Sequence, residues 1–128
     1  MFPFQFSIDE IKPNEVFQKL NQGQDLFMLD VREPDEFAQI RIDNTVLIPR
    51  GVLETGSAGA AQYQEELQIL QNSKSKEVIV ICRSGVRSLH AAKYLKDSGF
   101  GNVKSMQTGV VGWAQSGLPV SGNILQNA

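Results

Sequence analysis

The stretch that decides the fold is residues 77–88, which read E-V-I-V-I-C-R-S-G-V-R-S. Residues 78–81 are consecutive apolar side chains, and such a run without polar alternation is typical of a strand buried on both faces of a sheet. The strand ends at Cys82. From Ser88 onward apolar residues recur at helical spacing, at Leu89, Ala92 and Leu95. The one cysteine of the chain therefore lies where a buried strand turns into a helix.

The short loop that follows Cys82 has the composition of an anion-binding loop. Residues 83–87 contain two arginines, a serine and a glycine, and the next helix adds the partial positive charge of its N-terminus. Backbone N–H groups in such a loop can point inward at an anion. Cations and a helix N-terminus also favour ionisation of a thiol. We therefore predict that Cys82 is a nucleophile, although a lone cysteine is more often an inert buried side chain.

Three shorter motifs accompany the cysteine loop: L-D-V-R-E-P at residues 29–34, Ile48-Pro49, and S-G-L-P-V at residues 116–120. Each motif alone also occurs by chance in unrelated proteins. As a set with the cysteine loop, they resemble those of a single-domain rhodanese, a sulfurtransferase, over residues 11–120. The resemblance implies a rhodanese-like three-layer fold.

Length and the order of predicted elements agree with that fold class. The 128 residues, 41% of them hydrophobic, suit one domain over residues 1–128, with its core at about 11–120 and a frayed tail at 121–128. Strands that alternate with helices predict an α/β protein with a mostly parallel central sheet of about five strands, covered by helices on both faces. Ligands of such sheets bind beyond the carboxyl ends of the strands.

Composition excludes several classes of function. Twelve basic and fourteen acidic residues give a net charge of -2, which would not draw the chain to nucleic acid or to an acidic membrane. One cysteine and one histidine exclude an intramolecular disulfide and the usual structural zinc site, and we expect no metal and no cofactor. No apolar run approaches the ~18 residues of a membrane span, so a soluble, cytoplasmic protein is expected.

The remaining elements follow from apolar runs, prolines and glycines. Residues 50–61, which include G-S-A-G-A-A, lack apolar periodicity and are predicted to form a mobile loop near the active face. The other predictions are an extended segment at 4–11, helices from Pro13 to Gly23, around 34–37, at 62–71, from Ser88 to Gly99 and at 109–116, and strands at 26–29, 46–48, 78–81 and 103–106.

Asp30 lies at the carboxyl end of the strand predicted at 26–29. It could cap the helix near Pro34 or start a turn. Alternatively it pairs with an arginine of the cysteine loop, and the resemblance favours this supporting role, because in rhodaneses the aspartate lies near the active loop. Arg32 is expected to form a surface or interdomain-style ion pair and not to be catalytic.

Two positions depart from the common rhodanese pattern. The chain has Ile40-Arg41 where a Gly-His pair is usual, which leaves the local turn geometry open. It also has Thr108-Gly109 where many rhodaneses have two glycines.

The resemblance and the loop residues together predict a sulfurtransferase that works by double displacement. The Cys82 thiolate attacks the outer sulfur of a sulfane donor such as thiosulfate, sulfite leaves, and a persulfide forms on Cys82. A thiophilic acceptor then removes that sulfur. The expected partners are a small sulfur-containing anion as donor and a small thiol, cyanide or a partner protein as acceptor.

Charges and backbone amides of the loop are expected to stabilise this chemistry. Arg83 and Arg87 offset the charge of the anion, and the N–H groups of residues 83–88 stabilise the persulfide sulfur. The mechanism requires a ring of amides only large enough for one more sulfur, with the Cys82 thiol open to solvent.

The small residues of the loop have their own expected roles. The hydroxyls of Ser84 and Ser88 add hydrogen-bond donors. Gly85 supplies room for close approach or a turn with positive φ, and Val86 lines the rim. His90 is expected to be a surface residue, because a thiolate already formed needs no general base.

Two other functions are compatible with parts of this pattern. Phosphatases and arsenate reductases of the same fold also use Cys and Arg around an anion, but with C-x5-R spacing, whereas residues 82–87 read C-x4-R and should form a tighter loop. The third possibility is a docking or sulfur-carrier module without catalysis of its own. Retention of Cys82 and both arginines favours chemistry.

Overall fold

A five-stranded parallel sheet forms the centre of the computed structural model, which describes residues 8–56 and 60–123. The strands follow the order β1-β5-β4-β2-β3 across the sheet. They are β1 (Asp9–Ile11), β2 (Leu26–Asp30), β3 (Val46–Leu47), β4 (Glu77–Ile81) and β5 (Val103–Met106). The predicted sheet is confirmed, and the stretch that ends in Cys82 supplies its middle strand.

Within the described residues, six α-helices connect and cover the strands. They are α1 (Pro13–Asn21), α2 (Pro34–Gln39), α3 (Arg50–Thr55), α4 (Gln64–Gln71), α5 (Arg87–Asp97) and α6 (Gly109–Gln115), with a 3-10 helix at Ala60–Tyr63. Helices α1 and α2 both begin at a proline, whose fixed φ suits the first turn and whose missing N–H costs no hydrogen bond there. No helix in the described ranges is long and apolar enough to cross a membrane.

Side chains of β4 alternate between two apolar cores, one on each face of the sheet. Val78 and Val80 pack in the core that includes residues of α3, α4 and α5. Ile79 and Ile81 pack in the opposite core with Val16 of α1 and residues of α6. These four side chains have 0% exposure, which confirms the strand buried on both faces and the helices on either side.

The segment predicted as a loop at residues 50–61 is instead partly helical. Helix α3 covers Arg50–Thr55, and the 3-10 helix begins at Ala60. Val52 and Leu53 are buried in the core, so this short helix is held by packing rather than by a long periodic pattern. Gly56 ends α3 with φ 59°, and residues 57–59 lie outside the described part of the chain.

Both chain ends lie partly outside the described residues. Of the extended segment predicted at 4–11, residues 4–7 are not described, and Asp9–Ile11 is strand β1. Of the tail expected at 121–128, Ser121 pairs with Arg41 through two backbone hydrogen bonds of 2.8 Å, and residues 124–128 are not described.

Between the adjacent strands β2 and β4, the direction in which successive strands are added to the sheet reverses, although the strands themselves are parallel. The connection after β2 leads outward to β3, whereas the connection after β4 leads to β5 on the other side. Ligands of parallel α/β sheets bind at such a switch point, beyond the carboxyl ends of the strands. Asp30 ends β2 and Cys82 follows β4, so both lie at this edge.

Candidate active site

Cys82 begins a tight loop between β4 and α5, whose first residue is Arg87. Gly85 has φ 103°, the left-handed backbone that the sequence suggested and that side chains resist. Its N–H donates a 3.1 Å hydrogen bond to the Cys82 Sγ. A Cβ at Gly85 would lie 3.1 Å from the backbone N of Thr108. Glycine is therefore required both for the turn and for the space behind it.

The Cys82 sulfur lies on the inner side of this loop. Cys82 is 1% exposed, and its Sγ is 3.3 Å from the Ser88 Oγ as well as in contact with the Gly85 N–H. The thiol expected to be open to solvent is thus covered, because the tight loop folds back over the sulfur. The expectation of an open thiol is therefore wrong for this structure, and sulfur transfer through Cys82 would require the loop to move far enough to admit a donor.

Other loop side chains point away from the sulfur. Arg83, Ser84 and Val86 are exposed, and Val86 is 61% exposed, which suits the predicted position at the rim. Of the two serines expected to donate, Ser88 bonds with the thiol, and no such bond is found for Ser84 in the described part of the chain.

The start of helix α6 holds the first half of the loop. The N–H of Val110 donates to the Cys82 carbonyl oxygen at 2.9 Å, and the N–H of Val111 donates to the Arg83 carbonyl oxygen at 3.1 Å. A Cβ at Gly109 would lie 2.4 Å from backbone atoms of both Cys82 and Arg83. The loop and α6 are therefore packed backbone against backbone.

The turn before α6 contains the departure from the Gly-Gly pattern. Thr108 and Gly109 are consecutive left-handed residues, with φ 60° and 56°. This region is strained for a β-branched residue such as Thr108. The Thr108 side chain lies where a Cβ at Gly112 would be, with its Oγ1 only 1.8 Å from that position. Gly112 thus makes room for the threonine.

Arg87 is held by a carboxylate that sequence reasoning missed. Its two terminal nitrogens donate to Glu36 at 2.7 and 2.8 Å, a bidentate pair between α5 and α2. Hydrogen bonds from Arg87 lower the pKa of Glu36 from 4.5 to about 2, against the effect of burial. The pKa of Arg87 is raised, first by the hydrogen bond to Glu36 and also by the negative charge of Glu36, against the effect of burial.

Asp30 pairs with Arg32 and not with an arginine of the cysteine loop. Arg32 Nη2 and Nε donate to the carboxylate at 2.8 to 3.1 Å, and the Arg32 N–H donates to Oδ1 at 3.0 Å. Asp30 is 0% exposed and Arg32 is 2% exposed, so the expectation of a surface pair for Arg32 is wrong. The turn after β2 brings the arginine back over the aspartate, and Asp30 starts that turn rather than capping α2.

Arg32 also fixes the segment that carries Ile40-Arg41. Its Nη2 donates to the Ile40 carbonyl oxygen at 2.7 Å, and its Nη1 donates to the Glu36 carbonyl oxygen at 3.3 Å. Arg41 lies 5.5 Å from the Phe37 ring centroid and pairs with Ser121. The unusual residues at this turn are therefore held by backbone and ring contacts that need neither glycine nor histidine.

The fold and the site together place this chain in one class of proteins. Members of this class are parallel α/β proteins with a cysteine in a short arginine-containing loop between the middle strand and the following helix. The chain belongs to the rhodanese-like domain family, whose sequence profile matches residues 12–116.

Individual relatives agree with this membership. The chain is 29% identical over 113 residues to a sulfurtransferase of Allochromatium vinosum. The matched region covers 88% of this chain and 94% of the relative. The chain is 34% identical over 93 residues to the chloroplastic thiosulfate sulfurtransferase 16 of Arabidopsis thaliana, covering 71% and 76% of the two chains. The crystal structure of a rhodanese-related protein from Thermoplasma volcanium matches with a TM-score of 0.69 and 27% identity, over 88% of this chain and 97% of that one.

Proposed function

We propose that this chain moves sulfane sulfur from thiosulfate or a persulfide donor to a thiophilic acceptor through a persulfide on Cys82. The thiolate attacks the outer sulfur of thiosulfate, the sulfur–sulfur bond of the donor breaks, and sulfite leaves with the electron pair. The acceptor, cyanide or a thiolate, then attacks the outer sulfur of the persulfide. The bond to Sγ breaks, and the Cys82 thiolate is restored.

The observation that carries this proposal is the hydrogen bond from the Gly85 N–H to the Cys82 Sγ. At 3.1 Å it directs a backbone donor at the sulfur, and the Ser88 hydroxyl lies 3.3 Å away on another side. Preorganised donors of this kind stabilise negative charge where it develops in a reaction. A thiolate and a persulfide both place negative charge in this loop.

The two loop arginines are proposed to act differently. Glu36 already pairs with the Arg87 guanidinium, so part of the positive charge of Arg87 is compensated before any anion binds. Arg83 is exposed and has no ion pair within the described ranges. Arg83 is proposed to attract the anionic donor. Arg87 is proposed mainly to hold the start of α5 in place through its pair with Glu36.

A phosphatase or arsenate reductase activity is less compatible with this loop. Residues 83–86 separate Cys82 from Arg87, so the loop is one residue shorter than the C-x5-R loop of those enzymes. With the Gly85 amide already in contact with Sγ, the interior suits one added sulfur better than a tetrahedral phosphoryl group. Brisk hydrolysis of an aryl phosphate by the wild-type chain would overturn this choice.

Intact-protein mass spectrometry after incubation with thiosulfate tests the proposal. We expect the wild-type chain to gain the mass of one sulfur atom and to lose it when cyanide or a thiol is added. Cys82→Ser removes the one thiol of the chain and should show no gain. Ser73→Ala is a matched control, since Ser73 is buried and its hydroxyl is bonded to the Ile69 carbonyl outside the site.

The same measurement separates catalysis from a docking role. A wild-type chain that takes up no sulfur from thiosulfate or from a persulfide would favour a docking platform. A chain that loads sulfur but releases it only to one protein would be a sulfur carrier for that partner. The proposed setting is the cytoplasm, where reducing thiols would keep Cys82 free and could accept its sulfur.

A further inference from the structure

Two buried serine hydroxyls lie in a row behind the Cys82 sulfur. The Ser88 Oγ is 3.3 Å from Sγ, and the Ser105 Oγ is 2.7 Å from the Ser88 Oγ. Both serines have 0% exposure. The row therefore runs from the sulfur into the buried interior.

Ser105 is held in place by the sheet itself. It lies on β5, opposite Val80 of the middle strand, and Ser88 lies in the first turn of α5. Burial of a hydroxyl in an apolar interior is costly unless the group is hydrogen-bonded. An apolar residue on β5 would avoid that cost, so the serine needs an explanation beyond packing.

The direction of the hydrogen bonds depends on the charge of the sulfur. If the sulfur is a neutral S–H that donates to Ser88, then Ser88 donates to Ser105, and the Ser105 hydrogen has no further acceptor among the described residues. If the sulfur is a thiolate, Ser105 donates to Ser88 and Ser88 donates to the sulfur. Every hydroxyl hydrogen in the row is then paired, and the Gly85 N–H adds a further donor to the sulfur.

We propose that Ser105 is a positioning residue that turns the Ser88 hydroxyl toward Cys82 and so favours the thiolate over the thiol. No hydrogen bond between Ser105 and the reacting sulfur is found in the described part of the chain, so Ser105 acts through Ser88. The inference deepens the proposed sulfur transfer and rests on it for its purpose, but the ionisation itself can be measured without any sulfur donor.

Ultraviolet titration of the thiolate tests this proposal. The chain has one cysteine, so the difference in absorbance between each variant and the same variant with Cys82→Ser reports Cys82 alone. In Ser105→Ala the pH of half-ionisation should rise by roughly half to one unit, the size expected for a weakened hydrogen bond to a charged group. Ser73→Ala, which also removes a buried serine hydroxyl, should titrate like the wild type.

A second pair of variants separates the hydroxyl from side-chain shape. Ser105→Thr and Ser105→Val have nearly the same volume, but only threonine keeps the donor. Threonine should hold the wild-type midpoint, whereas valine should shift it as alanine does. A midpoint unchanged in Ser105→Ala, or equal midpoints for threonine and valine, would overturn the proposal.

The outcome is independent of the proposed transfer reaction. If the wild type never gains sulfur but Ser105→Ala shifts the titration, the transfer proposal fails and the role of Ser105 stands. If the wild type gains sulfur but the titration midpoint of Ser105→Ala equals that of the wild type, the transfer proposal stands and the role of Ser105 fails.

Discussion

Glu36 and Arg87 illustrate what single side chains contribute near the cysteine loop. The pair joins α2 to the first residue of α5, and the side chains of Glu36 and Arg87 are 26% and 33% exposed. The pKa of Glu36 is lowered to about 2, chiefly by the Arg87 hydrogen bond. Since the folded-state pKa lies below the ordinary 4.5, the pair stabilises the fold above pH 4.5 and loses this effect as the pH falls toward 2.

Replacing Glu36 by glutamine tests this pair. We expect Glu36→Gln to lower the free energy of unfolding by about 1 to 2 kcal/mol at neutral pH, because the partly exposed pair is screened by solvent. The difference from the wild type should shrink below pH 4.5 and vanish only below pH 2. Urea unfolding at a series of pH values measures it.

Glu66→Gln is the matched control for that experiment. Glu66 occupies the same place in the first turn of α4 that Glu36 occupies in α2, but it has no ion pair within residues 8–56 and 60–123. It therefore reports the interaction of a carboxylate with the helix N-terminus, without the hydrogen bond that Glu36 Oε1 accepts from the Glu33 N–H. Equal effects of the two substitutions, or a Glu36→Gln effect that persists unchanged to pH 2, would contradict the assignment to Arg87.

At the scale of residues, the sequence predicts what is local. The position of Cys82, the positive φ of Gly85 and the nearness of Ser88 follow from neighbours a few positions away. The Glu36 partner of Arg87 could not be found in this way, because the two are separated by 51 positions and Glu36 by itself reads as an ordinary acidic residue of a first helical turn.

At the scale of elements, the contact between helix α6 and the cysteine loop determines the geometry of that loop. Gly109 begins α6, and the two amides that follow it hold the Cys82 and Arg83 carbonyl groups. The geometry of the loop thus depends on a helix that contributes no side chain to the sulfur contacts described above.

Gly109→Ala should disrupt both stability and sulfur loading. The new Cβ would overlap backbone atoms 2.4 Å away, which cannot move without shifting the loop. We expect a loss of roughly 3 kcal/mol or more in the free energy of unfolding, from overpacking and from the left-handed backbone together. Thermal unfolding and the mass measurement of sulfur uptake check the two effects.

Gly56→Ala isolates the steric part of this loss. Gly56 has φ 59°, close to the 56° of Gly109, but a Cβ there meets nothing within 4 Å. Its substitution should cost only about 1 kcal/mol and leave sulfur uptake intact. If both alanines cost the same, backbone strain alone explains Gly109, and its contact with the loop is unimportant.

Prediction of elements from the sequence succeeds where packing follows a repeating pattern. The uninterrupted apolar runs predicted β2 and β4, and the prolines predicted the starts of α1 and α2. Helix α3 was missed because only Val52 and Leu53 of its residues are buried, too few to show a helical period. Tertiary contacts with the core decide the conformation of such a short segment.

At the scale of the whole molecule, the Asp30–Arg32 pair ties the sheet to the segment that surrounds the site. Asp30 belongs to β2, and the Arg32 guanidinium reaches the carbonyl oxygens of Glu36 and Ile40. Glu36 in turn holds Arg87 at the start of α5. The buried Asp30–Arg32 pair at the switch point of the sheet therefore supports α2, the helix whose Glu36 pairs with Arg87.

Asp30→Asn should destabilise the entire fold. The substitution leaves the Arg32 charge buried without a counter-charge, which typically costs about 3 to 5 kcal/mol. Asp25→Asn is the control at the other end of β2, since the Asp25–Lys76 pair is exposed and should contribute less than about 1 kcal/mol. Chemical denaturation measures both, and similar losses for the two variants would contradict the buried role of Asp30.

The sizes of the outermost strands affect how copies of the chain meet. β1 has three residues and β3 has two, whereas β4 between them is an apolar run of the kind that readily forms cross-β stacks when uncovered. Short edges offer few free backbone N–H and C=O groups to an approaching sheet. The fold thus shields its most aggregation-prone segment at the centre and leaves little at either border for edge-to-edge growth.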